Sequence, residues 1–157
     1  MKTNNKGFSL VELIVVIAIM AILAAVAIPT FATFITKANV ASDVSFLNDL
    51  EYSAQLAHTA TGDKLVANSV KVTLKNDGTI ESATYTIDRD TDVTVTISKS
   101  EGVWTVTECS DAELKKDAQA TIDTIDWSYK FKSTKKAGEC QIDTTDAKKL
   151  SGTATTN

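Results

Sequence analysis

Residues 6–30 read KGFSLVELIVVIAIMAILAAVAIPT, and this stretch decides the architecture of the chain. Between Phe8 and Ile28 the only ionisable side chain is Glu12, and the segment contains neither Gly nor Pro. About 21 residues at 1.5 Å each give roughly 31 Å of helix, which matches a bilayer hydrocarbon core of about 30 Å. The sequence therefore predicts an apolar helix over residues 8–29 that can span a membrane.

The seven residues before this helix, 1–7, are short and polar and carry Lys2 and Lys6. Basic residues before a span and none directly after it favour a cytoplasmic N-terminus, so we interpret residues 1–7 as a leader peptide. The whole chain has 16 basic and 20 acidic residues and a net charge of −4. Loss of the leader would remove two lysines and leave a charge of −6. Nucleic acid is therefore not predicted as the main partner.

A second helical half follows Pro29, over residues 30–61. Proline ends or kinks a helix, and here the pattern beyond it favours a kink. The apolar residues recur every three or four positions and predict one apolar stripe along the helix. They are Phe31, Phe34, Ala38, Ala41, Val44, Leu47, Leu50, Ala54 and Ala57. Gly62 is a plausible stop for the helix.

Beyond Gly62 the period changes from helical to alternating, and residues 62–157 are predicted to form a head with a β-sheet. The strand candidates are Val70–Leu74, Ile80–Ile87, Val93–Ile97 and Val103–Val106. Short connections such as Asn76-Asp77-Gly78 imply antiparallel pairing. The predicted fold class is α+β: a long N-terminal helix, kinked at Pro29, packed on an antiparallel sheet.

Two further elements are predicted near the C-terminus. Leu114, Ala118, Ile122 and Ile125 have helical spacing, and Asp111 is placed to cap that helix. Trp127, Tyr129 and Phe131 alternate with polar residues, which predicts a strand with its aromatic face in the core.

No motif in the sequence indicates catalysis, so we expect no enzymatic activity and no cofactor. Asp88, Asp90 and Asp92 alternate as in a metal loop, but Val93 and Lys99 occupy positions where a calcium loop of the EF-hand type needs Gly and Glu. We therefore interpret them as an exposed acidic turn and expect no metal site. The only histidine, His58, is expected to face solvent near the end of the helix.

The motif of residues 6–29 resembles the N-terminal signature of type IV pilins and the related pseudopilins. It joins a basic leader, a small residue at the cut, an apolar Phe8, Glu12 four positions later, and Pro29 after the apolar run. The resemblance implies that a prepilin peptidase cleaves between Gly7 and Phe8 and methylates the new amine of Phe8. Ala21 stands where many members have Gly, and alanine favours helix by about 1 kcal/mol more than glycine.

The resemblance also implies a function, partners and a location. The chain is expected to be the structural subunit of a type IV pilus, assembled through Phe8, Glu12 and Pro29. It would begin as a single-pass membrane precursor with its head outside and end in an extracellular homopolymer, built by an assembly platform and its ATPase.

Cys109 and Cys140 bracket the C-terminal region 109–140. The even count, the implied export route and the resemblance together lead to the expectation of a disulfide between them.

Three alternatives remain open on the sequence alone. The chain is equally compatible at its N-terminus with a pseudopilin of a type II secretion or DNA-uptake system. Ala25-Val26-Ala27 supplies a signal-peptidase site of the A-x-A type, as in a secreted globular domain. The third alternative is a plain single-span anchor, which has no use for Glu12.

Overall fold

The computed structural model describes residues 7–134, 136–143 and 145–155. Its main feature is helix α1, which runs from Leu10 to His58 with Pro29 inside it. A single 3₁₀ turn, Thr59–Thr61, follows, and Gly62 ends it in the left-handed conformation with φ of 81°. The predicted long helix, its continuation past Pro29 and its stop at Gly62 are confirmed.

The remaining elements form an antiparallel sheet with one additional helix, as predicted. The strands are β1 (Lys64–Leu65), β2 (Lys71–Leu74), β3 (Ile80–Asp88), β4 (Val93–Ser100), β5 (Val103–Glu108), β6 (Gly138–Ile142) and β7 (Leu150–Ser151). Their spatial order is β5-β4-β3-β2-β6-β7, and β1 pairs with β3. Helix α2 (Ala112–Thr124) lies between β5 and β6 in sequence, and the Asp111 side chain caps it as expected.

The described residues fall into two compact units, one up to Lys37 and one from Ala38 onward. The second unit is the head, whose single core joins the buried stripe of α1 to the sheet and α2. The largest contributions from each part are Leu47 and Leu50 of α1, Leu74, Tyr85, Ile87 and Ile97 of the sheet, and Leu114 of α2. The fold is therefore α+β, and the predicted helix stripe is buried from Val44 to Ala54. Its first members, Phe31 and Phe34, are instead exposed, because they precede the head.

Residues 127–131 do not form the predicted strand. Backbone bonds from Trp127 to Ile125 and from Tyr129 to Asp126 fold them into turns, and only Lys130 forms a β-bridge, with Thr79. The Asp126 carboxylate accepts the Ser128 amide at 3.0 Å and so stabilises the turn. The aromatic side chains nevertheless pack inward, because Tyr129 stacks on Phe46 with ring centroids 4.7 Å apart.

The expectation that His58 faces solvent is wrong. His58 is fully buried, and its Nε2 lies 3.1 Å from Tyr85 Oη. The helical stripe continues through Leu50 and Ala54 to position 58, so the histidine belongs to the core face of α1.

Candidate processing and assembly site

The predicted cleavage point lies just outside helix α1. Gly7 and Phe8 are exposed and non-helical, with 92% of the Phe8 surface accessible, and the helix begins two residues later at Leu10. A protease binds extended rather than helical backbone, because the helix occupies its own amide and carbonyl groups. The Gly7–Phe8 peptide is therefore presented in an accessible form.

The side chains of Ser9 and Glu12 both cap the start of this helix. The Ser9 amide donates to Glu12 Oε2 at 2.8 Å, and the Val11 amide donates to Ser9 Oγ at 3.3 Å. The bond from the Ser9 amide to Glu12 is one half of a capping box, whereas the Ser9 hydroxyl accepts from the amide of Val11 rather than from that of Glu12. The Ser-x-x-Glu spacing before an apolar run is a signal that could have predicted it from sequence.

The cap also positions the Glu12 carboxylate. The amide that it accepts belongs to Ser9, one residue from the nitrogen of Phe8, which would become the new amine on cleavage. The helix N-terminus already stabilises a negative charge there, typically by 0.3–1 kcal/mol. Phe8 thus lies just before the first turn of the helix, which contains Glu12, whereas Pro29 lies several turns further along.

The first unit of the chain exposes an apolar helix surface. Every large apolar side chain from Leu10 to Ile35 is between 48% and 73% exposed. The most apolar 18-residue window of this helix has a mean hydropathy of 3.0, and none of the window is buried. A continuous apolar surface of this size is typical of contact with lipid or with other protein chains.

The hydroxyl groups around Pro29 make hydrogen bonds within the helix. Thr30 Oγ1 donates to the carbonyls of Val26 and Ala27, at 3.0 and 2.8 Å. Thr33 Oγ1 donates to the Pro29 carbonyl at 3.0 Å, and Thr36 repeats this pattern one turn later. Such bonds satisfy a hydroxyl without water, so these threonines are compatible with an apolar environment.

In the head, a buried carboxylate connects helix α1 to the segment after α2. Asp43 is fully buried and accepts hydrogen bonds from Tyr129 Oη at 2.7 Å, from the Ser133 amide at 2.8 Å and from the Lys132 amide at 3.1 Å. The Ser133 hydroxyl also donates to it. Four donor groups therefore compensate the desolvation of one charge, as a buried carboxylate requires.

His58 is a second buried polar side chain in the head. Burial lowers the pKa of His58 below its usual 6.5, although the nearby Asp117 and Asp63 carboxylates act in the opposite direction. Burial also raises the pKa of its partner Tyr85 to about 12. His58 Nδ1 and Asp117 Oδ2 are buried without a hydrogen-bond partner among the described residues. His58 is therefore held as the neutral imidazole at pH 7.

Arg89 joins three parts of the head at the C-terminal end of α1. Its Nε and Nη2 donate to the two oxygens of Asp63 at 2.8 and 2.6 Å, and its Nη1 donates to Asp111 Oδ2 at 2.9 Å. Hydrogen bonds from Arg89 and Thr61 lower the pKa of Asp63 to about 2. Arg89 lies in the acidic turn between β3 and β4, but its side chain is directed towards Asp63 and Asp111 and forms ion pairs with both.

The two cysteines do not form the expected disulfide. Both are free thiols, with Cys140 buried in β6 and Cys109 directly after β5. Three strands, β4, β3 and β2, lie between these elements, and four steps of about 4.8 Å give roughly 19 Å across the sheet. A disulfide needs its Cα atoms within about 7 Å. The strand order thus keeps the thiols apart in the folded head.

Among the described residues, no group of three or more His, Cys, Asp and Glu side chains is arranged to hold a metal ion. The side chains of Asp88, Asp90 and Asp92 are exposed, in agreement with the interpretation as an acidic turn.

Comparison with known proteins finds a similarity at the start of the chain. Residues 2–28 match the prokaryotic N-terminal methylation motif. No curated protein and no solved structure matches the chain. The motif implies processing by a prepilin peptidase and assembly in a pilus system from a membrane-anchored precursor. Together, the methylation motif, the long apolar helix and the antiparallel head match a type IV pilin or pseudopilin.

Proposed function

We propose that this chain is the structural subunit of a type IV pilus, a homopolymer held together by the apolar half of α1. The exposed apolar surface from Leu10 to Ile35, preceded by the methylation motif, is the observation that carries the proposal. A soluble monomer would not leave such a surface uncovered in water. Before assembly the bilayer covers it, and in the fibre neighbouring copies of the same helix cover it.

Processing would occur between Gly7 and Phe8, followed by methylation of the Phe8 amine. The exposure of both residues and the start of the helix at Leu10 support this position. Cleavage removes the two leader lysines and creates a positive amine beside Glu12. No other cation lies between Phe8 and Thr36 in the sequence.

Glu12 would pair with this amine, first within its own chain and then with the amine of a neighbouring subunit. An ionised carboxylate in a bilayer costs up to about 3 kcal/mol unless it is paired, so both environments favour the pair. The hydrogen bond from the Ser9 amide to Glu12 supports the proposal, because it holds the carboxylate one residue from the amine. In this proposal the pairing sets the register of subunits in the fibre.

Native surface fibres test the proposed function. They should shear from cells as long filaments composed of this chain, with an N-terminal mass that begins at methylated Phe8. A mature protein that begins at Ile28 would instead indicate a secreted domain with an ordinary signal peptide. Short envelope-spanning fibres, with secretion or transformation lost on deletion, would identify a pseudopilin.

A further inference from the structure

One end of the head carries a positively charged groove. The groove, about 540 Å³ in volume, is lined by Asn39 of α1, by Asn76 and Asp77, and by Lys130 and Lys132 with their neighbours. Both lysines are exposed, and Asp77 is the only acidic residue in the lining. Lys130 Nζ lies 3.5 Å from Asp77 Oδ2, which leaves the charge of Lys132 without an acidic partner in the groove. We call this surface the lysine groove.

The opposite end of the same sheet carries a negatively charged turn. Strand β3 connects the two ends, since Thr79 beside its start bridges to Lys130 and Asp88 is its last residue. Nine residues of extended chain separate these ends by roughly 30 Å. The turn that follows exposes Asp88, Asp90 and Asp92.

The three carboxylates of this acidic turn have no ion pair or side-chain hydrogen bond with another described residue. Arg89, which lies among them, donates to Asp63 and Asp111 instead. The exposed Lys64 lies opposite Asp88 across the β1–β3 pair and is the nearest other basic residue in the register. Three like charges in five residues repel one another, so the turn gains from an external cation.

We propose that the lysine groove of one subunit binds the acidic turn of a second copy of this chain. The inference rests on the proposed fibre and specifies one of its contacts. A contact between two different patches of the same molecule is heterologous, and its repetition gives an open filament rather than a closed dimer. Charge complementarity of this kind fixes register and suppresses wrong alignments.

Charge reversal and its rescue test this contact in cells that express only the variant chain. K130E/K132E and D88K/D90K/D92K each place like charges together, and each should lower the yield of sheared fibre by about tenfold or more. The chain with all five substitutions restores opposite charges with the signs exchanged, and it should recover most of the fibre yield. Membrane-retained subunit, measured in parallel, shows whether each variant still folds and inserts.

The matched control is K115E/K116E, which makes the same change of charge on two exposed lysines of α2. It should leave fibre yield unchanged. If K115E/K116E lowers the fibre yield as much as K130E/K132E does, the effect comes from the net charge of the subunit and the proposal is overturned.

The milder D88N/D90N/D92N variant keeps the turn small and polar, and it should also lower the fibre yield. The five-substitution chain could be retained normally in the membrane and still not recover its fibre yield. That result would overturn the contact between copies and would indicate a lipid or another protein as the partner of the lysine groove. Wild-type cells without fibres would instead refute the proposed pilus function.

Discussion

Tyr129 Oη donates a 2.7 Å hydrogen bond to Asp43 Oδ1, across 86 residues of sequence. The bond joins the first turns of the head portion of α1 to the segment between α2 and β6. Because Asp43 also accepts backbone amides from Lys132 and Ser133, it fixes the position of the loop that carries Lys130 and Lys132.

The first prediction concerns this buried carboxylate. Asp43→Ala removes the acceptor and leaves the donors of Tyr129, Lys132 and Ser133 unpaired, so the head should lose about 3 kcal/mol or more of unfolding free energy. Urea unfolding of the detergent-solubilised subunit measures the change. Asp49→Asn, on the exposed face of the same helix, is the control and should stay within about 0.5 kcal/mol of wild type. Equal stability of the two variants would contradict the role of Asp43.

The second prediction is a pH dependence that originates at His58. Its pKa is lowered in the folded head, so the unfolded chain binds the extra proton as pH falls, and protonation favours unfolding. Stability should therefore be fully present above pH 6.5 and decrease as pH falls below it, with a slope of at most about 1.4 kcal/mol per pH unit.

His58 is the only histidine in the sequence, so a change in stability between pH 7 and pH 5 comes mainly from its protonation. Tyr85, Asp117, Asp63 and Arg89 surround it. The pKa of Tyr85 is raised to about 12 and that of Asp63 is lowered to about 2, so neither changes its charge in this window. His58→Gln should remove the slope, and a slope that persists in this variant would assign the effect to other groups. Unfolding curves at several pH values provide the measurement.

The third prediction separates the charge of Glu12 from its capping role. Glu12→Ala should be cleaved and inserted but should give far less sheared fibre, because the amine at Phe8 loses its partner. Loss of one member of a desolvated pair typically costs about 3–5 kcal/mol. Ser9→Ala removes the capping hydroxyl at a cost of about 1 kcal/mol but keeps the carboxylate, so it should assemble far better.

The measurement is sheared fibre against membrane-retained monomer, together with the N-terminal mass. Wild-type fibre yield from Glu12→Ala would refute the pairing. Uncleaved Glu12→Ala protein would instead place Glu12 in recognition by the peptidase.

The fourth prediction concerns the two thiols. Exported protein, denatured without reductant, should react with two equivalents of a thiol reagent per chain, since the strand order separates Cys109 from Cys140. In the native head Cys140 should react much more slowly, because it is buried and its pKa is raised to about 12 by that burial. Mass spectrometry of the labelled peptides measures both. A chain with no reactive thiol after denaturation would mean that the pair is oxidised in the exported protein.

Sequence periodicity predicted the elements whose burial repeats regularly. The buried part of the α1 stripe, from Val44 to Ala54, the four strands of the central sheet and the cap of α2 at Asp111 all follow from local spacing and turn chemistry. The environment of His58 could not be predicted in the same way, since a buried histidine depends on a partner, Tyr85, that is distant in sequence. Residues 127–131 form turns instead of the predicted strand for the same reason. Their alternating pattern resembles a strand, but their conformation depends on the distant Asp43.

The distance between the two cysteines also could not be predicted from local sequence spacing. Their placement around one segment of sequence suggested proximity, whereas distance in the fold depends on the insertion of β2, β3 and β4 between β5 and β6. At the processing site, sequence identified Gly7, Phe8 and Glu12 as a motif. The structure adds a geometric reason for Glu12, whose carboxylate accepts the Ser9 amide and caps the helix.

The exposed apolar surface continues past Pro29 to Ile35, because the threonine hydroxyls in that region are satisfied within the helix. From Leu10 to Ile35 the helix is about 39 Å long, some 9 Å more than a bilayer core is thick. This hydrophobic mismatch requires the helix to tilt or the lipid to thicken, at a fraction of a kcal/mol per Å. In the proposed fibre a bundle of identical helices would impose no such thickness limit, so the surplus length would favour extraction of the subunit from lipid into the polymer.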